Sequence, residues 1–244
     1  MSYIIELIDV SYAVQSKKLV SGISFRFEEG KTTAIIGPSG SGKTTVLKLS
    51  AGLLIPSEGD ALYQGKDIVR MKRTDNIEFR RKSAMVFQDT ALWANQDLYQ
   101  NLDLPLRLHF PKMTKTQRER KIESVVAEVG YKKSMGIRPS ELSMGEQKLL
   151  GFARALVCDP RLVYLDEWTE SLDESAAQRL IGIVKKMRAD GVTVILVSHD
   201  LQILHTLVDS AMMIMGGHMT ATLTKEQLVQ DGELERHIEE GIAP

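Results

Sequence analysis

Residues 37–45 read GPSGSGKTT, and this stretch decides the fold. It fits the pattern G-x-x-x-x-G-K-[ST], in which Lys43 and Thr44 occupy the last two places. The preceding TTAIIG is apolar and β-prone, and the following TVLKLSAGLL has helical composition, so the glycines lie between a strand and a helix. Such a loop binds anions because its backbone N–H groups and the helix dipole face the ligand. The stretch therefore predicts a phosphate-binding loop.

Each residue of this loop is a candidate nucleotide ligand. We expect Lys43 to reach the β- and γ-phosphates and the Thr44 hydroxyl to hold Mg²⁺. The alternative is an ordinary glycine-rich turn, which the flanking strand and helix disfavour. The candidate residues are Gly37, Pro38, Ser39, Gly40, Ser41, Gly42, Lys43, Thr44 and Thr45.

Composition describes an ordinary globular chain of 244 residues, with 43% hydrophobic and 26% charged residues. The net charge of −1 gives no field that would favour nucleic acid, so we expect no nucleic-acid partner. Apolar runs such as residues 192–197 are too short to cross a bilayer, and the N-terminus lacks a secretory pattern. The single cysteine, Cys158, excludes an intrachain disulfide, and we expect it in the core. These features favour the cytoplasm.

Continuous apolar strands alternate with helices, which predicts an α/β fold with a parallel sheet covered on both faces. The predicted strands are 3–10, 23–27, 32–37, 61–68 with a turn, 83–88, 162–166 and 192–199, followed by a hairpin at 211–221. The predicted helices are 43–53, 114–129, 145–157 and 174–190.

The buried strand LVYLD at 162–166 ends in an acid, Asp166, and a second acid, Glu167, follows it. In phosphate-loop ATPases an acid at such a strand end, here Asp166, completes Mg²⁺ coordination. A second acid beside it, here Glu167, can polarise the attacking water. The alternative is a pair of solvated acids where a strand leaves the core.

A third motif, LSMGEQ at 142–147, opens the helix KLLGFARAL. With it the chain resembles the nucleotide-binding subunit of ABC transporters, whose signature at this place is LSGGQ. The resemblance covers about residues 3–225. Its elements occur in the family's order: Tyr12, the phosphate loop, Gln88, the signature, Asp166–Glu167, Ser171-Leu172-Asp173 and His199.

The resemblance implies a phosphate-loop NTPase (RecA-like) core with a parallel sheet, an N-terminal antiparallel β subdomain and an inserted α-helical subdomain. Residues 1–88 and 160–224 would form the ATP-binding core with the β subdomain. Residues 89–159 would form the helical subdomain with the signature, and residues 225–244 a C-terminal tail.

The resemblance also implies roles for single residues. Tyr12 would stack on adenine, although it also suits a half-buried aromatic beside a strand. Gln88 would contact Mg²⁺ and the water, and His199 the γ-phosphate; the alternatives are an exposed glutamine and a structural histidine. The implied catalytic residues are Glu167, His199, Gln88 and Lys43, and the implied metal ligands are Thr44, Gln88 and Asp166.

The signature implies a dimer. Ser143 and Gly145 lie at a helix N-terminus, which suits phosphate, and Glu146 completes the implied contact set. In this family that helix end faces the nucleotide of the other subunit, so two ATP molecules lie between two head-to-tail chains. Water would attack the γ-phosphate in line, and dimer closure would drive a membrane permease.

The chain departs from the family at Met144, at Trp168, and at residues 169–171, where TES replaces the common TSG. Methionine would be costly at residue 144 if the backbone there needed a positive φ. These departures remove none of the residues implied in catalysis, so we expect the chain to hydrolyse ATP, but slowly.

The stretch at 89–110 and the end at 233–244 resemble the Mla/Mce-type ATPases, which move phospholipid between bacterial membranes. This implies a peripheral subunit on the cytoplasmic face of the inner membrane, with permease subunits and an Mce-type lipid-binding protein as candidate partners. Amino-acid importers, lipoprotein exporters and regulatory ATPases of the cell-division type remain alternatives. Trp93 and Leu98 would touch the permease or pack internally, and a helix at 225–240 would bind a partner or be solvated.

Overall fold

The computed structural model describes residues 2–15, 17–230, 236 and 238. Its strands are β1 (Tyr3–Val14), β2 (Lys17–Glu28), β3 (Thr32–Ile36), β4 (Glu58–Tyr63), β5 (Lys66–Asp67), β6 (Ser83–Val86), β7 (Leu162–Asp166), β8 (Thr193–Val197), β9 (Ser210–Met215) and β10 (His218–Thr224). Its α-helices are α1 (Lys43–Ser50), α2 (Arg73–Lys82), α3 (Leu98–His109), α4 (Lys115–Val129), α5 (Met144–Leu156), α6 (Glu174–Ala189), α7 (Leu201–Leu207) and α8 (Lys225–Gln230).

The larger sheet has six strands in the order β10-β9-β3-β8-β7-β6. Its strands pair in parallel except for β10, which forms an antiparallel hairpin with β9. All residues of β3, β7 and β8 are buried, as expected for central strands covered on both faces. The predicted parallel sheet and the hairpin with its Gly216–Gly217 turn are confirmed.

The smaller sheet is antiparallel, in the order β2-β1-β4-β5. Its apolar face, including Ile5 and Phe27, packs in one core cluster with Leu47 of α1 and Ile35 of the larger sheet. The other face of the larger sheet packs against helices that include α3, α4 and α5. The expected mixed α/β architecture is therefore confirmed, whereas the division into a core and a subdomain at 89–159 stays a prediction.

Several element bounds differ from the prediction. The helix expected at 43–53 ends at Ser50 because Gly52 adopts φ 61°, outside the helical region. The strands expected at 3–10 and 23–27 extend into a long hairpin. The pattern missed α2, which buries only Phe79, and α7, which has seven residues. It gave no bounds for α3, whose interior contains Pro105.

The helix predicted at 225–240 can be compared with the structure mainly over its first residues. Helix α8 covers Lys225–Gln230, and residues 231–235, 237 and 239–244 lie outside the described residues. Cys158 is half-buried against the core, and burial raises the pKa of its thiol to about 12. Within the described part of the chain, no helix is long and apolar enough to cross a membrane.

Two tyrosines with buried hydroxyl groups allow a matched test of a long-range hydrogen bond. The Tyr164 hydroxyl donates to the carbonyl oxygen of Ser50, the last residue of α1, at 2.8 Å, whereas the buried Tyr99 hydroxyl has no hydrogen-bond partner among the described residues. We expect Tyr164→Phe to lower the free energy of unfolding by about 1–2 kcal/mol, because it leaves the carbonyl unpaired. Tyr99→Phe should leave that free energy unchanged or higher. Urea denaturation measures both, and equal losses would contradict the assignment.

Candidate active site

The predicted site residues converge at one edge of the larger sheet, where four adjacent parallel strands end. The phosphate loop follows β3, Gln88 follows β6, Asp166 ends β7, and His199 follows β8. Clefts at the carboxyl ends of parallel strands are the usual binding sites of open α/β sheets. The cleft here has a volume of about 370 Å³ and is lined by Leu19, Ser39, Gly40, Gly42, Lys43, Thr44, Thr45, Gln88, Glu167, Glu170, Val197 and His199.

The phosphate loop is fixed by close backbone packing. A side chain at Gly37 would place its Cβ 2.0 Å from the carbonyl oxygen of Ile214 at φ 141°, so only glycine fits. Gly42 caps α1 in a left-handed conformation. The buried Ser41 hydroxyl has no partner among the described residues, an orphan that a bound ligand or water would satisfy. Helix α1 begins at the loop, as the sequence predicts, so its N-terminus faces the cleft.

Lys43 lies within the loop, largely buried. Its ammonium donates hydrogen bonds to the carbonyl oxygens of Gly37 at 2.8 Å and Pro38 at 2.9 Å. Burial lowers the pKa of Lys43, and the Glu167 and Asp166 carboxylates oppose that shift. The terminal nitrogen of Lys43 therefore lies in the cleft, where two nearby acids favour its charged form.

Thr44 and Asp166, the residues expected to bind Mg²⁺ with Gln88, lie next to each other. The Thr44 hydroxyl donates to Asp166 Oδ1 at 2.9 Å. Burial raises the pKa of Asp166, and the hydrogen bond from Thr44 opposes this shift. A hydroxyl and a carboxylate at the end of a phosphate loop are oxygen donors of the type that Mg²⁺ takes, with phosphate and water completing its shell. The described residues contain no cluster of three or more acids, histidines or cysteines that could hold a metal ion by themselves.

Glu167 combines an unusual backbone with an unusual acidity. Its φ is 43°, in the left-handed region that few non-glycine residues adopt, and its N–H donates to the Val197 carbonyl at 3.1 Å. Burial, and then the charge of Glu170, raise the pKa of Glu167 to about 7. His199 Nε2 lies 3.2 Å from Glu167 Oε1. A carboxyl group with a pKa near neutrality is suited to accept and release a proton at working pH.

Gln88 lies in the cleft, where its amide donates to Glu170 Oε2 at 3.2 Å. Glu170 belongs to the TES segment in which the chain departs from the family pattern. Sequence reasoning noted the segment but did not place Glu170 in the site. The signal was an acid three residues after Glu167, close enough on a turn to share the same cleft.

The signature residues lie outside this cleft. Ser143 caps α5, accepting a hydrogen bond from the Glu146 N–H, and Glu146 accepts one from the Ser143 N–H in return. Met144 is the first residue of α5, is 55% exposed and lacks a positive φ. The strain anticipated for methionine at this position therefore does not arise, because the backbone there is helical.

Tyr12 also lies outside the cleft lining, although it is near the loop. It pairs with Val20 across the β1–β2 hairpin, and that hairpin brings the Leu19 carbonyl against Gly42. The side chain is partly buried against the smaller sheet's core. This geometry is compatible with either of the roles considered for Tyr12.

Two further residues near the cleft, Lys148 and Trp168, make contacts that the sequence analysis did not predict. The ammonium of Lys148, on α5 and only 3% exposed, donates to the Glu167 carbonyl at 2.8 Å. Trp168 is 1% exposed and stacks on Phe152 of the same helix with ring centroids 5.6 Å apart. For Lys148, the available signal in the sequence was a lysine within the apolar run KLLGFARAL. For Trp168, the sequence contained no signal that identified Phe152 as its stacking partner.

Comparison with known proteins gives consistent matches. The ABC transporter family profile matches residues 20–170. The phospholipid transport ATP-binding protein MlaF of Haemophilus influenzae is 32% identical over 95% of this chain and 88% of its own length. The L-cystine import ATP-binding protein TcyC of Bacillus subtilis is 31% identical over 90% of each chain.

Solved structures agree on the fold. A dimeric ATP-binding cassette in a post-hydrolysis state, bound to ADP and phosphate, superposes with a TM-score of 0.84. It is 24% identical and covers 91% of this chain and 98% of its own. This level of identity supports the architecture rather than individual roles.

The charge of Glu170 generates a prediction for anion binding. Glu170→Gln keeps an acceptor for Gln88 but removes a negative charge beside the phosphate loop, so we expect ATP without metal to bind about two- to fivefold more tightly. Glu174→Gln removes the same charge from an exposed residue that does not line the cleft, and should change affinity little. Fluorescence anisotropy of a labelled ATP analogue in EDTA measures both, and equal affinities for the two variants would contradict a role for the Glu170 charge.

Proposed function

The chain belongs to the ABC transporter family and is an ATPase that binds ATP with Mg²⁺, and we propose that Glu167 polarises the attacking water in its cleft. The observation that carries this proposal is the position of Glu167. Its carboxyl group lines the cleft beside the phosphate loop, within 3.2 Å of His199, and its pKa is raised to about 7.

The other residues of the cleft divide the remaining tasks. Lys43 offsets negative charge on the phosphates, and the N-terminus of α1 adds its dipole. Thr44 and Asp166 would hold Mg²⁺, which when bound neutralises the charge on the phosphate oxygens. Gln88 and His199 orient the water and the γ-phosphate from the ends of β6 and β8. In-line displacement needs little covalent help from the protein, so positioning and charge supply most of the rate.

We propose that the working unit is a head-to-tail dimer. The chain contains one phosphate loop and one signature, and the N-terminus of α5 does not line its own cleft. Ser143, Gly145 and Glu146 would instead contact the nucleotide held by a second copy or a homologue. Each cleft would then be completed by the other subunit, and closure of the dimer would perform mechanical work.

The surface predicted to touch a permease contains a groove with positive charge. The groove has a volume of about 530 Å³, and its lining includes Trp93, Arg80, His109 and Arg154, with no carboxylate among the lining residues. Trp93 is 41% exposed, with the Arg154 guanidinium 5.0 Å from its ring centroid, whereas Leu98 is fully buried and packs internally. We propose that permease subunits dock here through an apolar segment bearing an acid, which the arginines would pair.

We propose phospholipid as the cargo, carried with an Mce-type lipid-binding protein at the cytoplasmic face of the inner membrane. The support is the resemblance of residues 89–110 to the Mla/Mce type and the similarity to a relative named for intermembrane phospholipid transport. The second candidate is import of an amino acid, which the similarity to a cystine-import subunit favours. A regulatory ATPase of the cell-division type is a third outcome of the test below.

The role of Glu167 predicts a separation of binding from hydrolysis. Glu167→Gln should lower kcat by at least about a hundredfold, because a neutral amide cannot accept the proton of the attacking water. ATP affinity should be retained, and dimers should accumulate with ATP. Phosphate release and size-exclusion chromatography measure these effects, with the exposed Glu123→Gln as the control. Hydrolysis at the unaltered rate would remove Glu167 from the mechanism.

The cargo proposal predicts what accompanies the protein in native membranes. Extraction of the tagged chain in mild detergent should recover a multi-span permease, an Mce-type protein and bound phospholipid, identified by mass spectrometry. Trp93→Ala should reduce permease recovery, and the exposed Leu108→Ala, outside the groove lining, should not. Recovery of a polar-solute binding protein instead of the Mce-type protein would indicate nutrient import. Recovery of only a division or signalling membrane protein would indicate a regulatory role.

A further inference from the structure

Helix α5 contacts the segment that follows Asp166 at three points. The Lys148 ammonium binds the Glu167 carbonyl, and Phe152 stacks on Trp168. Gly145 approaches the segment so closely that a Cβ on it would lie 3.3 Å from the Ser171 carbonyl oxygen. The helix that begins with the signature therefore packs directly on the backbone of its own chain's candidate catalytic acid.

Lys148 makes the polar one of these three contacts. Its side chain is 3% exposed, and burial lowers the pKa of its ammonium. The carboxylates of Glu170, Glu167, Asp89 and Asp166 oppose that shift, so the cation faces the acidic side of the cleft. A buried ammonium is costly unless it is paired and hydrogen-bonded, and here the ammonium donates a hydrogen bond to a main-chain carbonyl.

That carbonyl belongs to a residue whose backbone needs support. Glu167 adopts φ 43°, a conformation that persists only when surrounding contacts hold it. Its N–H is bound to the Val197 carbonyl of β8, and its C=O is bound to Lys148 of α5. The sheet and the signature helix thus hold the two sides of one strained residue.

We propose that Lys148 is a positioning residue for Glu167, holding its carbonyl and so coupling the signature helix to the carboxylate beside the phosphate loop. This inference rests on the proposed role of Glu167 in hydrolysis. Through the coupling, a displacement of α5 when its N-terminus engages the nucleotide of a second subunit is transmitted to the acid of its own cleft. The signature helix would then affect two clefts, the one in the second subunit whose nucleotide it contacts and the one in its own chain.

The test replaces Lys148 by methionine in the full chain with its partners. Methionine has similar length but removes the donor, and it leaves the Glu167 carbonyl unpaired, so the melting temperature is measured in parallel and should fall by only a few degrees. We expect kcat to fall about tenfold or more, because small misplacements of a reacting group are costly. The KM for ATP and the affinity for labelled ATP in EDTA should stay within about twofold. Lys185→Met makes the same change on an exposed face of α6 and should alter none of these values.

A double-mutant cycle separates positioning from a structural role. If Lys148 acts through Glu167, adding Lys148→Met to Glu167→Gln should change the residual turnover by less than about twofold. An undiminished loss in that background would overturn the proposal, as would an equal loss of kcat and of ATP affinity in the single variant. Residual turnover can be followed with radiolabelled ATP over long incubations.

A second variant separates a loss of the hydrogen-bond donor from a loss of folded protein. Lys148→Arg keeps a cationic donor and should recover part of the turnover that Lys148→Met loses. No recovery in a Lys148→Arg protein that melts at the original temperature would count against the proposal. A Glu167→Gln protein with unaltered turnover would instead overturn the proposed function, whatever the substitution at Lys148 does.

Discussion

The hydrogen-bonded ladder of four neighbouring parallel strands, β3, β8, β7 and β6, holds the cleft together. Because the strands are parallel and in register, the loop after β3, the acids after β7 and the polar residues after β6 and β8 end at one edge. Thr44 and Asp166, which are 122 positions apart in the chain, are thereby placed within hydrogen-bond distance. The helices and the smaller sheet cover the apolar faces of this ladder and keep water from it.

The chemistry of the cleft depends on how little water reaches it. Burial is the first cause of the raised pKa values of Asp166 and Glu167 and of the lowered pKa of Lys43. These groups therefore act on one another through a medium of low polarity, where each charge has a larger effect than in bulk water. Glu170 adds a negative charge to this set, at a position where the related pattern commonly has a small polar residue.

Much of the fold was predictable from the sequence because its signals are local. Buried strands such as β7 were found at their observed bounds, and α4 to within one residue, since apolar periodicity and capping residues mark them. The phosphate loop and the Thr44–Asp166 pair followed from motif spacing. The contacts of Lys148 and Trp168 could not be predicted, because they depend on how α5 packs against the main chain that follows β7. The positive φ of Glu167 and the helical backbone at Met144 are likewise products of tertiary packing.

The two hydrogen bonds that join α1 to β7 have a consequence for motion. Thr44 at the beginning of the helix is bound to Asp166, and Ser50 at its end is bound to Tyr164, so the helix is fastened to the strand at both ends. The phosphate loop and Asp166 consequently behave as one rigid body. Gln88 lies across the cleft, where it is joined to Glu170 by an exposed hydrogen bond, so we expect a change in the shape of the cleft to move Gln88 relative to this unit.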